Sequence, residues 1–172
     1  MHESEGSADG SLIVERDAGG YSSLVAGRPF GGGEVVAGFT AQEVLREPNY
    51  LTLQVGPDRH IMLAPEYIRY TNHSCEPNVF FDIERGQIVA LRPIATGEGI
   101  TFFYPSTEWA MDRAFTCHCG TPSCLGEIAG ASQLDPAVLA NYRLAGHIEA
   151  ALAEARGLDA PRHAGSSRTV PL

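Results

Sequence analysis

Arg69-Tyr70-Thr71-Asn72-His73-Ser74-Cys75-Glu76-Pro77-Asn78 is the stretch on which the reading of this chain turns. It holds one of four cysteines; the other three sit together in Cys117-His118-Cys119-Gly120-Thr121-Pro122-Ser123-Cys124. Two thiols separated by one residue and a third five further on, around Gly and Pro, can wrap three thiolates about one tetrahedral ion at about 2.3 Å each. A structural zinc needs a fourth ligand. His118 is the local candidate, but both its neighbours would already bind, which turns its ring away from the same ion. Cys75 would instead close an all-thiolate site between two distant parts of the chain. The alternative is two disulfides, which a chain lacking a secretory signal disfavours.

Working outward, 172 residues with 44% hydrophobic and 19% charged side chains fit one globular domain and exclude wholesale disorder, a collagen-like repeat and a coiled coil. No apolar run is long enough to span a membrane. The N-terminus has neither a basic start nor an apolar stretch, so the expectation is an intracellular protein, cytoplasmic if bacterial. A formal net charge of −9 is wrong for a protein that coats a duplex, and no direct nucleic-acid binding is expected. All 12 basic residues are Arg, and the chain has no lysine. Either a coding bias towards Arg or avoidance of a modifiable amine accounts for that.

Residues 1–10 are rich in Gly, Ser and acidic side chains and read as a flexible end. From Ser11 to about Gly130, turn signals recur at short intervals, as in a protein of many short strands. Leu51, Leu53 and Val55 alternate with polar residues, and Gly56-Pro57-Asp58 leads into Ile61-Met62-Leu63, which reads as a hairpin. Val79 to Glu84, Arg85-Gly86 and Gln87 to Leu91 read as a second. Gly31-Gly32-Gly33 is not a phosphate loop, because no Gly-Lys-Ser/Thr follows. Beyond Gly130 the period changes. With Asp135 as N-cap and Pro136 at the first helical position, Val138, Tyr142, Ala145, Ile148 and Leu152 fall on one face before Gly157, giving a helix or helix pair over 131–158. Residues 159–172 have no periodicity and read as a flexible tail.

The segment around Cys75 resembles the Arg-Phe-x-Asn-His-Ser-Cys-x-Pro-Asn signature of SET-domain lysine methyltransferases. Gly97-Glu98-Gly99-Ile100-Thr101-Phe102-Phe103-Tyr104 resembles the second signature of that family, Gly-Glu-Glu-Leu-Thr-Phe-Asp-Tyr, with Gly99 and Phe103 as departures. The cysteine cluster resembles its post-SET segment. The resemblance covers roughly residues 11–130 and implies a mainly β fold: a SET-domain β-clip of small curled sheets with a pseudoknot, over 11–112. A zinc-bound post-SET segment over 113–130 and the C-terminal helical part follow.

It further implies that Cys75, Cys117, Cys119 and Cys124 share one structural zinc, that Asn72 and His73 hold S-adenosylmethionine, and that Asn78 braces the knot. Tyr21, Ser22 and Ser23 stand where the family has Gly-x-Gly against the cofactor. Tyr104 matches the catalytic tyrosine, which also borders the cofactor, and Tyr70, Phe102 and Phe103 are candidates for the substrate channel, with core packing the alternative for each and the preferred one for Phe103. Phe102 matches the position where Phe or Tyr sets how many methyl groups are added. Trp109 and Phe115 are placed either to close a lid or to anchor it.

Methyl transfer from a sulfonium is an in-line displacement, so such a protein supplies alignment and a dry tunnel. The first expectation is an S-adenosylmethionine-dependent protein-lysine N-methyltransferase with a lysine-containing protein or peptide as partner. The alternatives are a SET-fold biosynthetic enzyme acting on a small molecule, and a non-catalytic binding module; a homodimer is compatible with any of the three.

Overall fold

The computed structural model describes residues 5–157. Its strands are short because the sequence breaks them every few residues. β1 (Leu12–Arg16) and β2 (Ser22–Ala26) form one antiparallel ribbon. β4 (Thr40–Leu45), β5 (Thr52–Gly56) and β6 (Arg59–Ala64) form a three-stranded sheet in the order β4-β6-β5. β3 (Val35–Gly38), β8 (Val79–Asp82) and β9 (Gln87–Ala90) form another, in the order β3-β9-β8. β7 (Asn72–His73) pairs with β10 (Thr101–Phe102), and β11 (Phe115–Thr116) with β12 (Glu127–Ile128). The two hairpins expected from the sequence are β5–β6 and β8–β9. Gly86 turns the second with φ of 62°, a left-handed conformation that Gly adopts without a Cβ penalty. A Cβ there would also lie 2.9 Å from the Phe39 carbonyl oxygen, which abuts the turn.

The core lies between the sheets and is built from side chains on their inner faces, among them Leu24, Phe30, Leu53, Ile68, Phe81 and Ile88. Through it runs the threaded segment. Gly97 to Ile100 bonds on one side to β2, with Ile100 N donating to Leu24 O at 2.7 Å and Ala26 N to Glu98 O at 2.9 Å. Thr101 and Phe102 then pair in parallel with Asn72 and His73. Asn78, 1% exposed, locks the crossing. Its Nδ2 donates to Gly99 O at 2.7 Å and to Glu98 Oε1 at 3.1 Å, and its Oδ1 accepts from Thr101 N at 2.9 Å. The chain is therefore mainly β, with small sheets knotted together as expected.

Two expectations need correction. Residues 5–10, read as part of a loose end, are tied down. Ser7 N donates to Leu12 O at 2.9 Å and Val14 N to Glu5 O at 2.7 Å. Asp9 accepts from Ser7 Oγ, Ser11 Oγ and Ser11 N, which holds its carboxyl down at about 2. The C-terminal part is a pair of helices, one of the two forms expected, and Tyr142, Ala145, Ile148 and Leu152 of the expected face pack in one cluster; Val138 is the residue that does not. α1 (Pro136–Leu139) is capped by Asp135, whose Oδ1 accepts from Ala137 N at 2.8 Å. It buries Leu139 rather than Val138 and then stops, with Asn141 Nδ2 donating back to the carbonyls of Ala137 and Val138. α2 (Gly146–Ala155) buries Ile148. Between them Tyr142 lies flat on Phe103, ring centroids 3.6 Å apart and 6° from parallel. Its hydroxyl donates to Cys75 O at 2.8 Å. Residues 159–172 lie outside the described residues.

Candidate active site

β10 and the residues after it set out the site by alternation. In extended chain, successive side chains point to opposite faces, so Phe102 and Tyr104 go one way and Phe103 the other. Phe102 packs its ring 4.5 Å from Phe81 and 4.7 Å from Tyr104, measured between centroids. Two cavities meet at that face.

The first, about 270 Å³, is floored by Leu53, Leu63, Ile68, Phe81 and Phe102 and opens between Pro48–Thr52 and Met111–Phe115. The second, about 710 Å³, is bounded by Gly20, Tyr21, Ser22, Tyr70, Asn72, His73 and Thr116 to Cys119. Tyr50, Leu51, Tyr104 and Phe115 belong to the walls of both. Volumes of this order are those of small-molecule sites, roughly 300–1,000 Å³.

Tyr104 is held from two sides. Its N donates to His73 Nδ1 at 3.2 Å and its hydroxyl to Thr71 O at 3.2 Å. Burial pushes the phenol above its ordinary pKa, so it stays a neutral donor at physiological pH. Burial likewise lowers His73 to about 4. The ring is therefore neutral, and with Nδ1 accepting, its proton is assigned to Nε2, 3.4 Å from Cys75 Sγ. Asn72 donates from Nδ2 to Ser22 O at 3.1 Å and Ser23 Oγ at 3.0 Å, and among the described residues its Oδ1 has no side-chain partner. Ser23 supports Asn72 from behind and is not part of the cavity wall.

Two candidate channel residues lie elsewhere. Phe103, 2% exposed, faces away from both cavities into the cluster made with Ala131, Leu139 and Ile148. Strand alternation sends it there, and the stack on Tyr142 fills the space. Tyr70 lines the larger cavity, beside Asn72, and not the smaller one, with Arg16 over its ring at 5.7 Å. Of the two aromatics proposed for a lid, Phe115 is at the junction of the cavities, with its ring edge-on to His73 and Tyr104. Trp109 packs with the C-terminal helices.

Cys75, Cys117, Cys119 and Cys124 are free thiols whose sulfurs all lie within 4.8 Å of one another. Cys75 Sγ and Cys117 Sγ are 3.9 Å apart. Four sulfurs about 2.3 Å from a common centre in a tetrahedron would be separated by about 3.8 Å. The donor set and spacing thus fit a single tetrahedral ion. His118 is exposed and outside the cluster.

Sequence reasoning missed Glu108, which lines the smaller cavity at 7% exposure. Its N donates to Tyr104 O at 2.9 Å, one turn back. Oε1 accepts from Gln54 N at 2.8 Å and from Thr107 Oγ1 at 3.3 Å. Burial raises its pKa to about 7. The spacing of four from Tyr104 was the only available signal. Tyr50 and Leu51, in the loop before β5, carried none.

Residues 22–105 match the family model described as SET domain. The chain carries a SET domain. Over 106 residues it is 42% identical to methyltransferase flvH of Aspergillus flavus, a match covering 60% of this chain and 59% of that one. Over 102 residues it is 33% identical to a histone-lysine N-methyltransferase, H3 lysine-36 specific, of Saccharomyces cerevisiae, covering 56% of this chain and 14% of that protein. The chain thus spans well under two thirds of either curated relative. Among solved structures, KRYPTONITE in complex with mCHG DNA and SAH superposes with a TM-score of 0.54 at 24% identity, covering 67% of this chain and 28% of that one. That likeness is one of fold. The threaded segment and both cavity-lining signatures fall inside the matched SET domain, while Glu108, the cysteine cluster after β10 and the C-terminal helices lie beyond residue 105.

Proposed function

We propose that the protein is an S-adenosylmethionine-dependent N-methyltransferase whose acceptor is a lysine side chain of a protein or peptide. The observation that carries this reading is the pair of cavities joined at Tyr104: one large and lined by Asn72 and His73, the other smaller and walled by apolar side chains. A group transferred between molecules bound on either side would pass the Tyr104 hydroxyl. The relatives support it, two of them being named as methyltransferases.

In this reading the larger cavity holds the cofactor, which supplies an electrophilic methyl on a sulfonium. Asn72 Oδ1, Ser22 and Tyr21 present polar groups to it, and Phe115 closes over the junction. The neutral Tyr104 phenol orients the reacting groups, and Phe102 and Phe81 keep water from the acceptor nitrogen, which must be an amine and not an ammonium when it attacks. The four cysteines hold one structural zinc that fixes the segment carrying Phe115 and Cys117 over the cleft.

The test is Tyr104→Phe. With an H3 peptide as acceptor, methyl transfer should fall by two orders of magnitude or more, of the scale seen for loss of one positioned donor. S-adenosylhomocysteine affinity, read by calorimetry, should stay within about twofold, since only one hydroxyl is removed. An unchanged rate removes Tyr104 from the mechanism, and absence of S-adenosylhomocysteine binding by the wild type removes the cofactor assignment.

A further inference from the structure

The smaller cavity has an apolar floor and, at its mouth, the exposed side chains of Asp112 and Arg113; Glu108 is the one charged residue of its lining that is buried. Glu108 is more than nine-tenths buried there, and its two oxygens are used differently. Oε1 serves the fold, accepting from the β5 backbone at Gln54 and from Thr107. Oε2 has no hydrogen-bond partner among the described residues, yet it is not sealed from the cavity as His60 Nδ1 and Ser106 Oγ are sealed in theirs. No Arg or His nitrogen lies within ion-pair distance of Glu108 among the described residues, although Arg113 borders the same cavity.

A carboxylate is among the groups least often buried without a partner, because removing the charge from water costs several kcal/mol. The structural task of Oε1 does not require that charge: a glutamine oxygen would accept from Gln54 N equally well. The ionisable oxygen is therefore open to a partner that arrives from outside, and the cavity walls restrict what it is. Leu53, Leu63, Ile68, Phe81 and Phe102 suit a narrow alkyl stem, and a buried carboxylate oxygen beside it, deeper than the exposed Asp112, suits a cation with N–H donors.

We propose that Glu108 is the specificity residue of the acceptor cavity, receiving through Oε2 the ammonium group of a primary alkylamine acceptor. The assignment rests on the proposed function for the identity of this cavity as the acceptor side. A wholly apolar cavity would turn away an amine, which is protonated in water at neutral pH. The carboxylate gives the cation a way in. Once inside, one N–H proton can pass to Oε2, converting the ion pair into a neutral amine and a neutral carboxylic acid. The acid O–H then donates to the nitrogen lone pair, which becomes available for attack once the amine turns from Glu108 towards Tyr104, and the proton leaves from Glu108 to solvent when the cavity reopens. Glu108 thus selects acceptors by charge, and alcohols or amides of the same shape are rejected.

The test is a binding comparison that needs no methyl transfer. n-Butylammonium and n-butanol are titrated by NMR chemical shift into the full chain saturated with S-adenosylhomocysteine. The wild type should bind the ammonium tenfold or more tightly than the alcohol, the scale of a charge-assisted hydrogen bond at about 1.4 kcal/mol per tenfold. Glu108→Gln should erase that preference while preserving the Gln54 contact, and Glu108→Asp should reduce it. Displacement of n-butylammonium by an H3(1–15) peptide marks the ammonium as a side chain's. Displacement by free lysine but not by the peptide marks it as a small molecule's, with Glu108 as partner in both. Equal binding of the two probes by the wild type, no ammonium binding at all, or a preference that survives in Glu108→Gln overturns the assignment. The wild-type arm can overturn the assignment even if Glu108→Gln does not fold, and Glu108→Asp then supplies the comparison that assigns the preference to this residue and not to Asp112. Because no transfer is measured, ammonium selectivity without methyl transfer sinks the proposed function and not the role of Glu108, and the reverse result does the opposite.

Discussion

Replacing Glu108 by Gln should change how stability depends on pH, and the size of the change follows from its burial. The Glu108 carboxyl is raised from 4.5 to about 7 in the folded chain, chiefly by desolvation, against the hydrogen bonds from Gln54 and Thr107 that pull the other way. Between those values the folded state binds a proton that the unfolded state has released. Stability contributed by this group therefore falls as pH rises, at about 1.4 kcal/mol per pH unit, and the loss is complete above about pH 7. From about pH 5.5 to about pH 8.5, a window chosen to leave cysteine ligands in place, the wild type should lose about 2 kcal/mol relative to Glu108→Gln. The comparison isolates one group. His60 and His147, both held below the usual histidine range by burial, titrate in both proteins and cancel, and Tyr104 stays neutral throughout. The assay is urea unfolding of both proteins across the window, with the difference in unfolding free energy plotted against pH. A difference that is flat with pH would show that Glu108 is ordinarily solvated and would undermine its reading as a buried, unpaired carboxylate.

Metal analysis of the purified protein should find one zinc per chain, lost in Cys119→Ser or on chelation, with the region around Phe115 and Leu125 gaining hydrogen exchange before the β core; no bound zinc, or two disulfides by mass spectrometry, contradicts it. Phe102→Tyr should shift products on a lysine peptide towards the monomethyl form, because a hydroxyl added between Phe81 and Tyr104 restricts a methylated nitrogen; with no lysine in the chain, every methyl-lysine detected by mass spectrometry comes from the added peptide. Tyr142→Ala removes the stack on Phe103 and the hydrogen bond to Cys75 O and should cost about 3 kcal/mol in urea unfolding, whereas Tyr142→Phe should cost about 1.

What was legible in the sequence divides along physical lines. The hairpins were readable because turn residues interrupt the alternation at Gly56-Pro57-Asp58 and Arg85-Gly86, the second with Gly86 in a left-handed conformation, and the four-thiol cluster because ligand chemistry constrains spacing. The orientation of Phe103 could have been read from alternation alone: Phe102 and Tyr104 on one face leave it on the other. Its packing partner could not, because the helical period through Val138 and Tyr142 runs unbroken on paper while the chain actually stops at Leu139. There the stack of Tyr142 on Phe103 outweighs a further helical turn. Glu108 was invisible for a different reason. A lone Glu in a sequence is normally a solvated one. What buries this one is a backbone N–H from Gln54, 54 residues earlier, together with cavity walls drawn from five separate strands.

The parallel pairing of β7 with β10 has a kinetic corollary. Asn72 meets Thr101 across the intervening hairpin β8–β9, and the segment from Gly97 reaches back further still to β2, so both contacts close loops between distant parts of the chain. Pairings of this separation make folding slow. Tyr104 follows directly on that pairing, so the two cavities that share it should form together with it, and a partly unfolded chain should have no half-formed cleft to offer. Ligand capture during refolding should therefore appear late and in a single phase, at the rate at which the native chain itself is regained.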